Sequence, residues 1–259
     1  MKLKVKDIYG FIDDFAPFSS QADWDNSGLQ IGDMETDVNG VLLSLDLDEK
    51  TVDMAIENKI NTIITHHPMF FASLKKIDYS DYKGRLVKKA VLNDINVIAA
   101  HTNLDLSEIG VNYKLGLKLD LYDTQPFKIG EDIDFGIYGN IDTVDLKQLK
   151  ENISSALNMS EDYIRVYGKQ IDDISKIAIC GGSGSELISS IGEYGIDVLI
   201  TADTKYHDGQ FAYENNLMIL DIGHFYSERP ILYQLKSLIE NKYEGVKVEI
   251  KSDSEYIIL

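Results

Sequence analysis

The chain has 259 residues, enough for one large α/β domain or two intimate lobes around a buried core. With 25 basic against 43 acidic residues, its formal net charge is −18. That sign argues against a nucleic-acid phosphate backbone or an anionic membrane as the main partner, but an anionic small molecule is still admitted where bound metal ions reverse the local field.

The N-terminal segment, Met1 to Asp7, lacks the apolar stretch of a signal peptide, and no apolar run approaches a membrane span. One cysteine, Cys180, leaves no internal disulfide to form and suits a reducing cytoplasm, so a soluble cytoplasmic protein is expected. Trp24 to Gly32 reads as a turn leading into a strand, with the only tryptophan as an anchor for the N-terminal helix. Val41 to Leu45 is a strand, Glu49 to Lys59 a helix with Val52, Ala55 and Ile56 on one face, and Asn61 to Thr65 a strand stopped by Pro68. A helix from Gly84 to Asn93 and a strand from Ile95 to Ala100 complete a β-α-β-α-β order, which points to a parallel sheet covered by helices.

After an intervening stretch, Phe127 to Val166, with a helix from Val144 to Leu157, the plan returns. Lys176 to Cys180 is a strand, Glu186 to Tyr194 a helix and Asp197 to Thr201 a strand, followed by a helix around Gln210 to Asn215 and a strand from Leu217 to Leu220. Glu57 to Thr65 aligns with Glu193 to Thr201, and His101-x-x-x-Asp105 with His224-x-x-x-Glu228. Two α/β lobes of similar plan are therefore expected, over residues 1–125 and 126–228, with 229–259 packing on the first. Pro230 fits a first helical position before a helix from Ile231 to Tyr243. Val246 to Ile250 and Tyr256 to Leu259 read as closing strands.

Four of the five histidines follow apolar strands: His66 and His67 after Ile63-Ile64-Thr65, His101 after Val97 to Ala100, and His224 after Met218-Ile219-Leu220. Ligands collect outside the carboxyl ends of strands in α/β proteins, so three such ends point to one metal centre. Side chains of neighbouring strand residues diverge, but on a turn forced by Pro68 His66 and His67 can reach two ions of a close pair. His-x-x-x-Asp and His-x-x-x-Glu put both groups on one side of a helical turn. Two carboxylates with three or four imidazoles suit Zn, Mn, Fe or Co, not Ca or Mg.

Other features carry two readings. Gly181-Gly182-Ser183-Gly184-Ser185, set between strand and helix, offers either a backbone phosphate cradle or a tight turn, with Lys205 and Arg229 as further positive groups; it is neither a dinucleotide fingerprint nor a P-loop. Cys180 fits a small core residue better than a nucleophile. His207 supports a ligand or substrate, or caps the helix that follows it.

The ordered motifs Trp-Asp-Asn-Ser-Gly-Leu-Gln-Ile-Gly, Ile-Thr-His-His-Pro, His-Thr-Asn-Leu-Asp, Gly-Gly-Ser-Gly, Thr-Ala-Asp-x-Lys-Tyr-His and Gly-His-x-x-x-Glu, from Trp24 to Glu228, resemble the NGG-interacting-factor-like family of GTP cyclohydrolase 1 type 2 homologues, in a short form without an extra central domain. One departure is Ala202, where the family commonly has glycine. The resemblance implies two interlinked α/β lobes around a shared site for two divalent transition-metal ions, and a toroidal homohexamer. The implied ligands are His66, His67, Asp105, His224 and Glu228. Glu228 would bridge, His67 and Asp105 serve one ion, and His66 and His224 the other; His101 would be a nearby catalytic acid/base. The implied reaction opens the guanine imidazole ring of GTP, releasing formate on the way to dihydroneopterin triphosphate. The metal chemistry alone also admits a phosphoesterase, a peptidase or a non-catalytic regulatory scaffold.

Overall fold

Why the first histidine-bearing strands exist is plain in the computed structural model, which describes residues 2–129 and 133–254. Helix α1 (Val5–Phe15) buries Val5, Ile8 and Ile12 along one stripe. Then come β1 (Gly28–Ile31), β2 (Val41–Ser44), α2 (Glu49–Glu57), β3 (Thr62–Thr65), α3 (Tyr82–Leu92), β4 (Asn96–Ala99) and α4 (Thr102–Asp105). Every residue of β2, β3 and β4 is buried, as parallel strands covered on both faces require. Their register sets Leu43 beside Ile64 and Ile64 beside Ile98, while β1 adds antiparallel to β4. Asp48 and Asp81 cap α2 and α3 by accepting from the backbone N–H groups of Thr51 and Gly84. Leu42, Val52, Ile63, Leu86 and Val97 share one core cluster.

The second unit, Glu108–Ile231, starts with α5 (Val111–Lys118) and a β5–β6 pair (Tyr122–Ile129, Ile133–Val144). It continues through α6 (Leu146–Leu157), β7 (Arg165–Gly168), β8 (Ile174–Ser183), α7 (Ile188–Ile191), β9 (Val198–Ala202), α8 (Tyr206–Glu214), β10 (Met218–Asp221) and α9 (His224–Glu228). Its sheet has the order β5-β6-β8-β9-β10-β7, parallel only across β8, β9 and β10. The expected βαβ repeat is thus present in both units, as β2-β3-β4 in one and β8-β9-β10 in the other, and Thr65 and Thr201 occupy corresponding registers.

Helix α10 (Pro230–Lys242) begins on Pro230 and carries the chain back to the first unit, which comprises residues through Ser107 and those from Leu232 on. There β11 (Val248–Ile250) pairs in parallel with β2, giving the order β1-β4-β3-β2-β11 among the described residues. The strand expected over Tyr256–Leu259 lies outside the described residues.

Three expectations differ from the structure. The first division falls after Ser107, not after residue 125, because Leu115, Leu119 and Leu121 join Ile137 and Ile177 in the core of the second unit. Residues 122–144 form the β5–β6 pair ahead of the expected helix, and β5 is an edge strand that accommodates Pro126, which lowers its sequence signal. The single helix expected from Glu186 to Tyr194 is a 3-10 turn, the four-residue α7 and another 3-10 turn, closed by Gly195 at φ +62°. Among the described residues, no helix is long and apolar enough to cross a membrane.

Candidate metal centre

At the carboxyl ends of β3 and β4 the first unit gathers three imidazoles. The turn after β3 continues the ladder, with the His66 and His67 N–H groups donating to Ser44 and Leu45 carbonyls. Ring centroids of His66 and His67 are 5.0 Å apart, and those of His66 and His101 5.1 Å. One ring nitrogen from each of His66, His67 and His101 lies within 4.8 Å of the others. Asp105, one helical turn after His101, brings Oδ1 to 3.6 Å from His66 Nε2.

What fixes each ring is as informative as the cluster. His66 Nδ1 lies 2.8 Å from the Ala100 carbonyl, His67 Nδ1 2.9 Å from Asp46 Oδ1, and His101 Nδ1 2.9 Å from Asp25 Oδ1. A carbonyl or carboxylate can only accept, so Nδ1 carries a proton, and in the neutral ring the lone pair then lies on Nε2. Metal-ligating histidines are held this way, and a carboxylate behind the ring also raises its basicity.

Asp25 is the most elaborately held of these carboxylates. Its side chain is fully buried and accepts from the Thr102 N–H and hydroxyl and from the Ser27 hydroxyl, besides His101. Burial alone would push its carboxyl up, but hydrogen bonds from His101 and Thr102 outweigh that cost and hold it well below the usual carboxylate range.

In the second unit, Gly223 takes a left-handed φ of +77° as β10 turns into α9, and His224 and Glu228 stand one turn apart on that helix. His224 Nδ1 lies 2.8 Å from Asp203 Oδ2, at the exit of β9, while Nε2 lies 3.1 Å from Glu228 Oε1. With Nδ1 protonated toward Asp203, a ring lone pair and a carboxylate oxygen confront each other. Such a pair needs positive charge with it, either a second ring proton or a cation. Glu228 is almost wholly buried, where an ionised carboxylate is costly without compensation.

The glycine segment serves this pair and not a phosphate. Gly181 to Ser183 are the last residues of β8, broken by a register shift, and no regular helix of useful length follows. Three N–H groups of the segment are engaged within the protein: Gly181 donates to Asn112 Oδ1, Gly182 to Ser227 Oγ and Gly184 to Thr201 Oγ1. The cradle reading is therefore replaced by a packing one. Gly182, at φ +65°, allows close approach, since a Cβ there would collide with Glu228 Oε1 and sit 3.3 Å from His224 Nε2. Arg229 donates to the Leu157 carbonyl and lies over the rings of Phe225 and Tyr226, which binds it into the fold. His207 is exposed on α8, and that helix starts at N-cap Lys205, whose N–H donates to Asp208, so His207 does not cap it. Cys180 is buried beside Gly184.

The Duf34/NIF3 (NGG1p interacting factor 3) family profile matches residues 3–255. A GTP cyclohydrolase 1 type 2 homolog of Campylobacter jejuni is 36% identical over 230 residues, covering 88% of each chain. This chain belongs to the DUF34/NIF3 family. A second GTP cyclohydrolase 1 type 2 homolog, from Clostridium acetobutylicum, is 34% identical across 93% of this chain and 91% of its own. The crystal structure of Staphylococcus aureus protein SA1388 superposes with a TM-score of 0.89 at 28% identity, covering both chains in full.

Within this NIF3-family chain, the structure gathers His66, His67, His101 and Asp105 in the first unit and pairs His224 with Glu228 in the second. Sequence reading missed the carboxylates behind the rings, Asp25, Asp46 and Asp203. Two of them had a usable signal: Asp25 and Asp203 lie within motifs that carry the family resemblance. Trp24 was also misplaced. It is half-exposed, stacks on Phe71 and turns an edge toward His101, so it borders the histidine cluster instead of anchoring α1.

Proposed function

We propose that this chain is a divalent-metal-dependent hydrolase that opens the imidazole ring of GTP, or of a closely similar nucleotide, with release of formate. The observation that carries the metal part is the His224–Glu228 pair: a ring nitrogen and a buried carboxylate oxygen 3.1 Å apart, with the other ring nitrogen anchored on Asp203. The proposed ligands are His66, His67, Asp105, His224 and Glu228. Three imidazoles and two carboxylates exceed one tetrahedral shell, which supports two ions of Zn, Mn, Fe or Co, with Glu228 as the bridging ligand. The choice of GTP is supported by the names of the relatives.

Bound divalent ions would supply Lewis acidity, activating water and polarising the substrate. The chain's own groups do the rest. Asp46 and Asp203 hold the rings of His67 and His224 with Nε2 directed to its task. His101, tied through Nδ1 to Asp25, would take a proton at Nε2 from the attacking water and return it to the departing nitrogen. The one cysteine suits a reducing compartment, and the reading places the enzyme in the cytoplasm as a homohexamer acting on a small molecule.

The test is formate release from GTP by protein reconstituted with each of the four metals, with Glu228→Gln as blank and phosphoesters and peptides screened alongside. Activity that requires metal and vanishes in the blank supports the reading. No formate with any metal overturns it.

A further inference from the structure

We infer that Trp24 and Phe71 form a stacking subsite for the planar ring of the substrate, beside the histidine cluster. The inference rests on the proposed hydrolase reading for the identity of the ring, but not for the existence of the subsite. The two side chains come from separate segments, the turn before β1 and the loop after β3, yet their rings stack at 5.5 Å with planes 27° apart. Each makes a T-shaped contact with the His101 ring, with centroids 6.1 Å away for Trp24 and 5.5 Å for Phe71. Each nonetheless keeps half its surface in water, 55% and 50%.

What sets this pair apart is its place beside His101 on backbone that is tied down on both sides. Asn26 Nδ2 donates to the Phe70 carbonyl at 2.7 Å and the Phe70 N–H donates to Gln30 Oε1 at 3.3 Å, pinning the two segments together. Asp25 and Ser27, either side of Asn26, hold His101 itself. The platform and the acid/base candidate are therefore one rigid assembly. A preorganised pair of rings next to a reacting centre suits a flat heteroaromatic ring, since every nucleobase-like ring offers a π-face to such a platform. The same rings would exclude a substrate without a planar portion from gaining that binding.

Trp24 is the only tryptophan, so its fluorescence reports on the subsite directly. Metal-loaded full-length protein is titrated with GTP, guanosine and inorganic tripolyphosphate, exciting at the red edge to avoid nucleotide absorbance. Quenching is expected from GTP and guanosine and not from tripolyphosphate. By calorimetry, Trp24→Ala and Phe71→Ala should each weaken GTP binding about tenfold, whereas Trp24→Phe should retain most of it. Circular dichroism and metal content should match the parent, because both side chains are half-exposed. Equal quenching by tripolyphosphate, unchanged GTP affinity in both alanine variants, or no ring binding by the parent would overturn the subsite. The two readings part cleanly. Ring-dependent quenching without formate release keeps the subsite and removes the cyclohydrolase; GTP turnover with an unchanged KM in both alanine variants does the reverse.

Discussion

Asp25 Oδ1 and His101 Nδ1 meet at 2.9 Å across 76 residues of sequence. That contact joins the tryptophan-bearing turn to the end of β4 and decides which nitrogen of His101 faces the cluster. Asp25→Asn preserves volume but offers an amide that can present N–H to the ring and reverse its tautomer. We expect kcat for the proposed reaction to fall at least tenfold, with metal content near that of the parent. His101→Ala should fall similarly. A double variant no slower than either single one would show the two acting as a unit, and full activity in Asp25→Asn would end the positioning role.

The same carboxyl predicts an acid limit to stability. Because its folded value is depressed, Asp25 contributes stability that is fully present above the unfolded carboxylate value, about 4, and lost as pH falls below it. Thermal unfolding from pH 6 to pH 3 should show Tm falling more steeply in the parent than in Asp25→Asn. Parallel curves would mean that other carboxylates dominate the acid transition.

Metal stoichiometry separates the two halves of the ligand set. Elemental analysis after reconstitution should approach two equivalents per chain. Glu228→Gln should lose both ions, since a bridging carboxylate offsets charge on each, and His66→Ala should lose mainly one. A parent value that stays at one equivalent would refute the dinuclear site, and equal single losses would refute the bridge.

How far the sequence carried these conclusions differs by feature. The parallel strands were legible because all residues of β3 and β4 are buried, giving continuous apolar runs with histidines at their ends. His224 and Glu228 were legible because a four-residue spacing is what one turn of helix needs. The sheet edges were not: β5 carries Pro126 and charged residues that an edge position tolerates. Nor was Asp46, whose partner lies 21 residues away, a pairing set by tertiary packing that no local spacing encodes. The glycine segment misled because strand-glycine-helix patterns are common, and only the structure shows its N–H groups already committed.

Assembly gives an independent test. A chain of formal charge −18 repels its own copies, so a stable homohexamer needs apolar contact to overcome that field. Exposed Leu92 and Leu117 are examples of apolar surface available for such contact. Sedimentation of metal-loaded protein at moderate salt should give a hexamer, more firmly associated as salt screens the charge. A monomer throughout the micromolar range would refute the assembly.

Gly182 and Gly184, two residues apart, should fail in opposite ways. A Cβ at Gly182 meets the Glu228 carboxylate, and its φ of +65° already disfavours any other residue. Gly182→Ala is therefore expected to displace the Glu228 side chain and lower metal occupancy, with a smaller effect on Tm. A Cβ at Gly184 instead lies 2.5 Å from Thr201 Oγ1 and 2.7 Å from Cys180 Cβ, within the packing of β8 and β9. Overpacking of that kind costs about 1–3 kcal/mol, so Gly184→Ala should lower Tm by several degrees. KM for GTP should stay near the parent's in Gly184→Ala, because the N–H groups of Gly181, Gly182 and Gly184 already donate to Asn112, Ser227 and Thr201. A raised KM with unchanged Tm in Gly184→Ala would restore the phosphate cradle, and normal metal content in Gly182→Ala would detach the glycine from the Glu228 site.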